Sequence, residues 1–253
     1  MNIYEDINNA INNNTAAVLC IVINTEGSTP RKAGSKMLVF ADGSIIGSVG
    51  GGSIEKETIE HANTIIGTGI CETKTYNLAN DLEMHCGGRA TIYFESLHQQ
   101  PELIIFGAGH VGKSLAKITS MSGFKVSVVD NRNGICALWP KDIATIYEMP
   151  FDEAIEKIKF HNNTYIVVST YKHSYDSEIV AMLKDKPKKY IGMIGSKRKV
   201  ETAKKQFVEE FNMTKEQIDF VNMPIGIDIS CETPEDIAVS ILAQLIDVKN
   251  KKY

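Results

Sequence analysis

Arginine is scarce in this 253-residue chain, four against 23 lysines, and tryptophan occurs once. An excess of either charge is also missing: 27 basic against 31 acidic side chains leave a net charge of -4. That balance excludes a general nucleic-acid binder, which needs many cations to displace counterions from phosphates. The five cysteines, Cys20, Cys71, Cys86, Cys136 and Cys231, are odd in number and never fall as Cys-x-x-Cys. Neither a disulfide framework nor a zinc knuckle is therefore expected, and any functional cysteine acts as a thiol. No apolar run reaches the roughly 18–20 residues of a spanning helix. The start, MNIYEDINNAINNN, is acidic and Asn-rich where a secretory leader is basic and then apolar. A cytoplasmic protein without membrane attachment is the expectation. No internal repeat occurs, and 43% hydrophobic with 23% charged residues excludes disordered and fibrous classes.

What is present divides into two patterns. The polar break Leu97-His98-Gln99-Gln100-Pro101 separates them and gives domains 1–98 and 99–253. Downstream, short apolar runs (102–106, 125–130, 143–147, 164–169, 189–194) alternate with helix-length amphipathic segments (111–121, 151–159, 175–184, 197–211). This cadence predicts a Rossmann-like, doubly wound parallel sheet with helices on both faces. A final helix, 233–249, opens with Thr-Pro-Glu-Asp: a capping hydroxyl, a first-turn proline and carboxylates facing the helix dipole. Upstream, strands are predicted at 16–24, 37–40, 44–48, 72–78 and 90–96, with helices at 3–11 and 54–66, a smaller α+β domain. The whole chain is thus of the α/β class. If neighbouring upstream elements run antiparallel, loop 25–36, Gly50-Gly51-Gly52 and loop 79–89 share one end of that domain.

Gly107-Ala108-Gly109-His110-Val111-Gly112 follows a predicted strand and opens a helix, the context in which a GxGxxG turn receives a pyrophosphate. The first glycine makes the turn, the second admits the phosphate to the backbone, and the third lets helix and strand pack. Asp130, at the end of the next strand, is placed to accept from a ribose 2′-hydroxyl, whereas Arg132 is placed to meet a 2′-phosphate, which leaves NAD against NADP open. The loops 169–173 and 195–198 end later strands and border the same crevice. His173 is an acid–base candidate there, with a structural role as the alternative. In the smaller domain, Arg31 and Arg89 sit beside glycine-bearing loops, a placement that favours a planar or phosphate-bearing anion. Gly51 and Gly52 precede a helix as a second anion cradle, with Glu55 in its first turn either touching ligand or compensating the dipole. Cys86, followed by Gly87-Gly88-Arg89, has the surroundings of a reactive or metal-ligating thiol; the alternative is a small packed hydrophobe.

These segments together resemble the xanthine dehydrogenase accessory protein family, XdhC/CoxI. The resemblance is carried by GSTPRKAGSKMLVF from Gly27, GSVGGGSIE from Gly47, Cys86-Gly87-Gly88, LIIFGAGHVGKSLAK from Leu103, YIGMIGSKRK from Tyr190 and PIGIDISCETPEDIAVSILAQLI from Pro224. It implies an accessory chaperone that binds the molybdenum cofactor (molybdopterin), protects it during sulfuration and delivers it to an apo molybdenum hydroxylase of the xanthine dehydrogenase type. A cysteine desulfurase partner and a homo-oligomer belong to the same expectation. So do cofactor contacts by Gly107, Gly109, His110, Gly112, Asp130, Arg132, Arg31, Gly51, Gly52, Glu55, Cys86 and Arg89, with Cys86 as the metal ligand. Two departures stand out: Ser53 occupies a position where many relatives have Cys, and Tyr171 one where they often have His. The competing expectation from the GxGxxG alone is an NAD(P)-dependent oxidoreductase of a small substrate.

Overall fold

The computed structural model describes residues 2–78, 88–97, 100–140 and 142–251. It separates into two compact units, Met1–Gln99 and Gln100–Tyr253.

In the first unit, helix α1 (Ile3–Asn12) precedes strands β1 (Ala17–Glu26), β2 (Lys36–Phe40) and β3 (Ile45–Gly47). Helix α2 (Gly52–Ile65) and strands β4 (Cys71–Asn77) and β5 (Arg89–Ser96) follow. Among the described residues these strands form a five-stranded antiparallel sheet in the order β3-β2-β1-β5-β4. Alternation along β1 decides which face each residue takes. Val18, Cys20 and Val22 pack under Ile54, Ala62 and Ile65 of α2, while Ala17 and Leu19 share the opposite cluster with Ala10 of α1. Burial in that core pushes the Cys20 thiol up to about 12, so it is inert at neutral pH.

The antiparallel order brings the glycine-bearing loops to one end. Glu26, which ends β1, pairs with Arg89, which starts β5, and Arg89 in turn pairs with Asn77 at the end of β4. Gly50 lies against Pro30 of the first loop, and Gly88 against the carbonyls of Glu26 and Ser28. Cys86 and Gly87 lie outside the described residues.

The second unit contains, in chain order, β6 (Glu102–Phe106), α3 (His110–Ser120), β7 (Lys125–Asp130), β8 (Thr145–Glu148), α4 (Phe151–Lys157) and β9 (Thr164–Val168). It continues with α5 (His173–Met182), β10 (Tyr190–Met193), α6 (Lys197–Glu209), α7 (Lys215–Asp219), β11 (Val221–Asn222) and α8 (Pro234–Asn250). The described strands make a six-stranded, wholly parallel sheet, β11-β10-β9-β6-β7-β8. This is the doubly wound Rossmann order, and its direction reverses between β6 and β9, where the carboxyl ends of strands open a crevice. Both faces are covered. Ile104 and Phe106 turn toward α4, α5 and α6, whereas Leu103 and Ile105 turn toward Leu115 of α3 and Ile241 and Leu245 of α8. Strands buried on both faces must be apolar throughout, as Leu103-Ile104-Ile105-Phe106 and Tyr165-Ile166-Val167-Val168 are.

Two elements, α7 and β11, add to those predicted. The signal for α7 is a capping box, in which the Thr214 hydroxyl accepts from Gln217 N–H and the Gln217 amide oxygen accepts from Thr214 N–H. A two-residue strand carries no periodicity to detect. Helix α8 begins as its sequence predicts: Thr233 Oγ1 accepts from Asp236 N–H, and the Asp236 carboxylate accepts from the N–H groups of Thr233 and Glu232. Thr233→Ala should cost about 1 kcal/mol of stability, readable as a shift in the urea midpoint with unchanged m-value.

Candidate functional site

A cavity of about 1350 Å³ opens in the second unit at the carboxyl ends of its strands. The three glycines of the GxGxxG turn divide their work there. Gly107 has φ +116°, and a side chain on it would overlap the Ser169 carbonyl at the end of β9. A side chain on Gly112 would overlap the Gly107 carbonyl. Both glycines are thus fixed by packing. Gly109 differs: its φ of -69° suits any residue, and a Cβ placed on it meets nothing within 4 Å. Neither strain nor protein packing requires glycine at that position, and the space in front of it belongs to the cavity, which it lines with His110.

Four helices start at this cavity: α3 at His110, α5 at His173, α6 at Lys197 and α8 at Pro234. The first three have no side chain capping their first turn, whereas α8 is capped by Thr233. Uncapped first-turn N–H groups and the positive dipole end favour an anion. Lys113, Arg132, Lys197 and Lys199 add four cations to the lining, against one carboxylate, Asp228.

Apolar side chains also line the cavity. Leu138, 90% exposed, and Ile135 come from the loop after β7; Ile225, Ile227 and Ile229 come from the segment after β11. Both segments are tied down by side chains. Glu148 at the end of β8 accepts from Gly134 N–H at 2.9 Å and Cys136 N–H at 3.0 Å. Gln244 Oε1 of α8 accepts from Gly226 N–H (2.7 Å) and Tyr190 Oη–H (2.6 Å), and Ser240 Oγ donates to the Ile227 carbonyl (2.6 Å). The 224–229 segment opens one of the stretches that carry the family resemblance, but it has no strand periodicity that would place it on the cavity. The Cys136 thiol, buried beside Glu148 and Asp130, is pushed up to about 11.

Asp130 is turned to another use than a ribose contact. Its side chain is fully buried and absent from the cavity wall; Oδ2 accepts from Ala108 N–H at 2.7 Å, and both oxygens hold the Arg132 guanidinium, at 2.9 and 2.7 Å. Burial alone would raise this carboxyl, but Arg132 and the Ala108 and Arg132 N–H groups outweigh it and leave it below the ordinary aspartate value. Arg132, 35% exposed, is thereby held over the Tyr171 ring, 4.5 Å from its centroid, and lines the cavity. Position 171 supplies a platform for that guanidinium.

His173 has both ring nitrogens engaged. Nδ1 meets Asp176 at 3.1 Å and Nε2 meets the Lys199 ammonium, which sets the tautomer with Nδ1–H donating to the carboxylate. Asp176 itself is buried and raised in pKa by desolvation, against hydrogen bonds from Thr170 and His173. Its effect is to pin Thr170 and His173 at the cavity edge and to orient Lys199.

In the first unit, Glu55 has the dipole-compensating placement: its Oε2 accepts from Ser48 Oγ–H (2.6 Å) and Gly51 N–H (3.3 Å), which occupies part of the Gly51-Gly52 turn from within. Arg89 donates from Nε to Asn77 Oδ1 (2.9 Å) and lies 3.9 Å from Glu26, while Arg31 is exposed. Cys86, expected as metal ligand, lies outside the described residues; among those described, no group of three or more His, Cys, Asp or Glu side chains is placed to hold a metal ion. No described helix is long and apolar enough to cross a membrane.

Comparison with known proteins adds the lineage. A family described as the XdhC Rossmann domain matches residues 103–245, and one described as the XdhC and CoxI family matches residues 10–77. The Escherichia coli K12 protein YqeB, described as uncharacterized, is 30% identical over 99% of this chain and 47% of its own length. A Bacillus subtilis 168 protein described as a probable xanthine dehydrogenase subunit is 28% identical over 66% of this chain and 48% of its own. The chain thus spans about half the length of these two relatives. A solved Bacillus halodurans structure described as a xanthine dehydrogenase shares the fold, with a TM-score of 0.52 at 22% identity over 100% of this chain and 97% of that one.

The division of labour among the glycines is testable by stability alone. Gly112→Ala should cost about 2–3 kcal/mol through overpacking, whereas Gly109→Val should stay within about 1 kcal/mol of the parent; thermal denaturation separates the two. For Asp130, whose pKa is depressed in the folded state, the stabilisation is present above the unfolded value of about 4 and lost as pH falls through the folded one. The stability gap between parent and Asp130→Asn in urea should therefore be wide at pH 7 and shrink below about pH 4.

Proposed function

Because this chain belongs to the XdhC/CoxI family, we propose that it is an accessory factor for a molybdenum hydroxylase of the xanthine dehydrogenase type. In this reading it binds the molybdenum cofactor, shields it while the terminal sulfur is installed, and passes it to the apoenzyme. The observation that carries the proposal is the mixed lining of the Rossmann-unit cavity. It offers uncapped helix N-termini, the open backbone at Gly109 and four cations, together with isoleucines and Leu138. Molybdopterin has the complementary chemistry, a phosphate ester attached to a planar fused ring. The N–H groups opening α3, with Lys113 and Arg132, would hold the phosphate, and the apolar lining would cover the ring and exclude water. When bound, the cofactor supplies the metal–sulfur centre used by the client; the chain's own part is binding, orientation and exclusion of solvent. The names of the relatives support the choice of client class, and a cysteine desulfurase is the partner class that sulfuration requires.

The oxidoreductase reading would ask for a proton-transferring group facing the cavity. The residues the sequence offers for it are His173, whose ring nitrogens meet Asp176 and Lys199, and Lys172, which is not among the cavity-lining residues.

Expression in a host that makes molybdopterin should yield protein that retains pterin, measured by fluorescence after release. Gly109→Val should lose it while keeping its circular dichroism spectrum. Absence of pterin from the parent protein, together with substrate-dependent NAD(P)H production, would overturn this reading in favour of the oxidoreductase.

A further inference from the structure

Asp130 has no acceptor capacity left. A carboxylate offers about four lone-pair positions, and four N–H groups fill them. Oδ1 accepts from Arg132 N–H (3.0 Å) and Nε–H (2.9 Å), and Oδ2 accepts from Ala108 N–H (2.7 Å) and Arg132 Nη2–H (2.7 Å). The side chain has no exposed surface. In a Rossmann unit the end of this strand receives the ribose of a nucleotide whose phosphates sit on the glycine turn, and a free carboxylate there accepts from the ribose hydroxyls. A sugar diol arriving at the end of β7 in this chain meets neither a free lone pair nor an exposed carboxylate oxygen.

Arg132 is in the opposite condition. A guanidinium carries five N–H donors; Asp130 takes two of them, and three remain that meet no acceptor among the described residues. The residue lines the cavity at 35% exposure, and its guanidinium is fixed from two directions, by the buried carboxylate and by the Tyr171 ring. Donors oriented in advance and left unpaired suit an anionic oxygen of a ligand. Because Asp130 offsets the charge of the guanidinium, the selection comes from directed hydrogen bonds more than from net charge. We propose that Arg132 makes this site selective for a nucleotide with a phosphate on its ribose 2′ position over the same nucleotide with a free 2′-hydroxyl. Sequence alone sets the acid and the arginine against each other at this point; the burial of Asp130 removes the acid from the contest. The inference rests on the reading that the Rossmann cavity is the ligand site, and it goes beyond that reading in naming a nucleotide class the cavity takes.

Calorimetry on the full chain tests this with two pairs of probes that differ only in the 2′-phosphate: NADP+ against NAD+, and adenosine 2′,5′-bisphosphate against 5′-AMP. The phosphorylated member of each pair should bind at least about tenfold tighter, or about 1.4 kcal/mol. Arg132→Gln should bring the ratio close to one. Should that variant fail to fold, Arg132→Lys keeps a cation beside Asp130 but loses the planar fork, and should narrow the ratio as well. A parent ratio near one, or one favouring NAD+, overturns the proposal and leaves the site reading intact, since nucleotides still bind. A preference that persists unchanged in a folded Arg132 variant overturns the assignment to Arg132. If no nucleotide binds but pterin is retained after expression in a molybdopterin-making host, the nucleotide proposal falls and the cofactor reading stands. If the parent binds no nucleotide and retains no pterin, both fall.

Discussion

Between Gly107 and the Ser169 carbonyl there is no room for a side chain. This contact lies where the strand order reverses, between β6 and β9, and it brings the two halves of the parallel sheet into register at their carboxyl ends. Much of the unit's binding geometry follows from it. Because the backbones meet there, α3 starts directly above the junction, and its first turn and the ends of β9 and β10 converge on one volume. The second steric requirement, Gly112 against the Gly107 carbonyl, sets how closely α3 lies on the sheet. With two of three glycines consumed in building the turn, the third is left with a free approach to its backbone.

The charges are organised by the same junction. Asp130 reaches under the turn to Ala108 N–H and at the same time grips Arg132, so one buried carboxylate fixes both the loop and the cation beside it. The pairing explains why a guanidinium is suited to this position in a chain with so few of them: only its planar fork satisfies both carboxylate oxygens and sits over Tyr171. Asp176 has a comparable role across the crevice, holding Thr170 and His173, with Lys199 beyond. Buried acids thus set the positions of exposed bases, and the cavity presents the bases.

Most of this architecture is legible in the chain. The alternation of apolar runs with amphipathic segments predicts the parallel sheet, because strands covered on both faces cannot tolerate polar residues. The glycine roles are readable because the turn sits between a clear strand and a clear helix, and the meeting of the Glu26 end of β1 with the Arg89 start of β5 follows from antiparallel order alone. Asp130 departs from expectation in its surroundings: strand-end position indicates that a carboxylate reaches the crevice edge, but not that Arg132 and Ala108 will close over it. The apolar lining is invisible for a different reason. Ile225, Ile227 and Ile229 follow a strand of two residues and depend for their placement on Gln244 and Ser240, about twenty and thirteen residues further along. Such long-range tethering leaves no local pattern.

The connection between β7 and β8 has a consequence for how this cavity can be retuned. No described helix fills it; the chain instead crosses the edge of the crevice as a loop anchored at Asp130–Arg132, at the Glu148 carboxylate, and by burial of Cys136 and Trp139. Between those anchors Leu138 is 90% exposed, whereas Ile135 packs against the core. Substitutions at Leu138 are the ones least coupled to folding. A lineage could exchange the side chain at position 138 while the glycine turn and the scaffold stayed as they are, so the cavity lining has a mutational route that leaves the rest of the domain untouched.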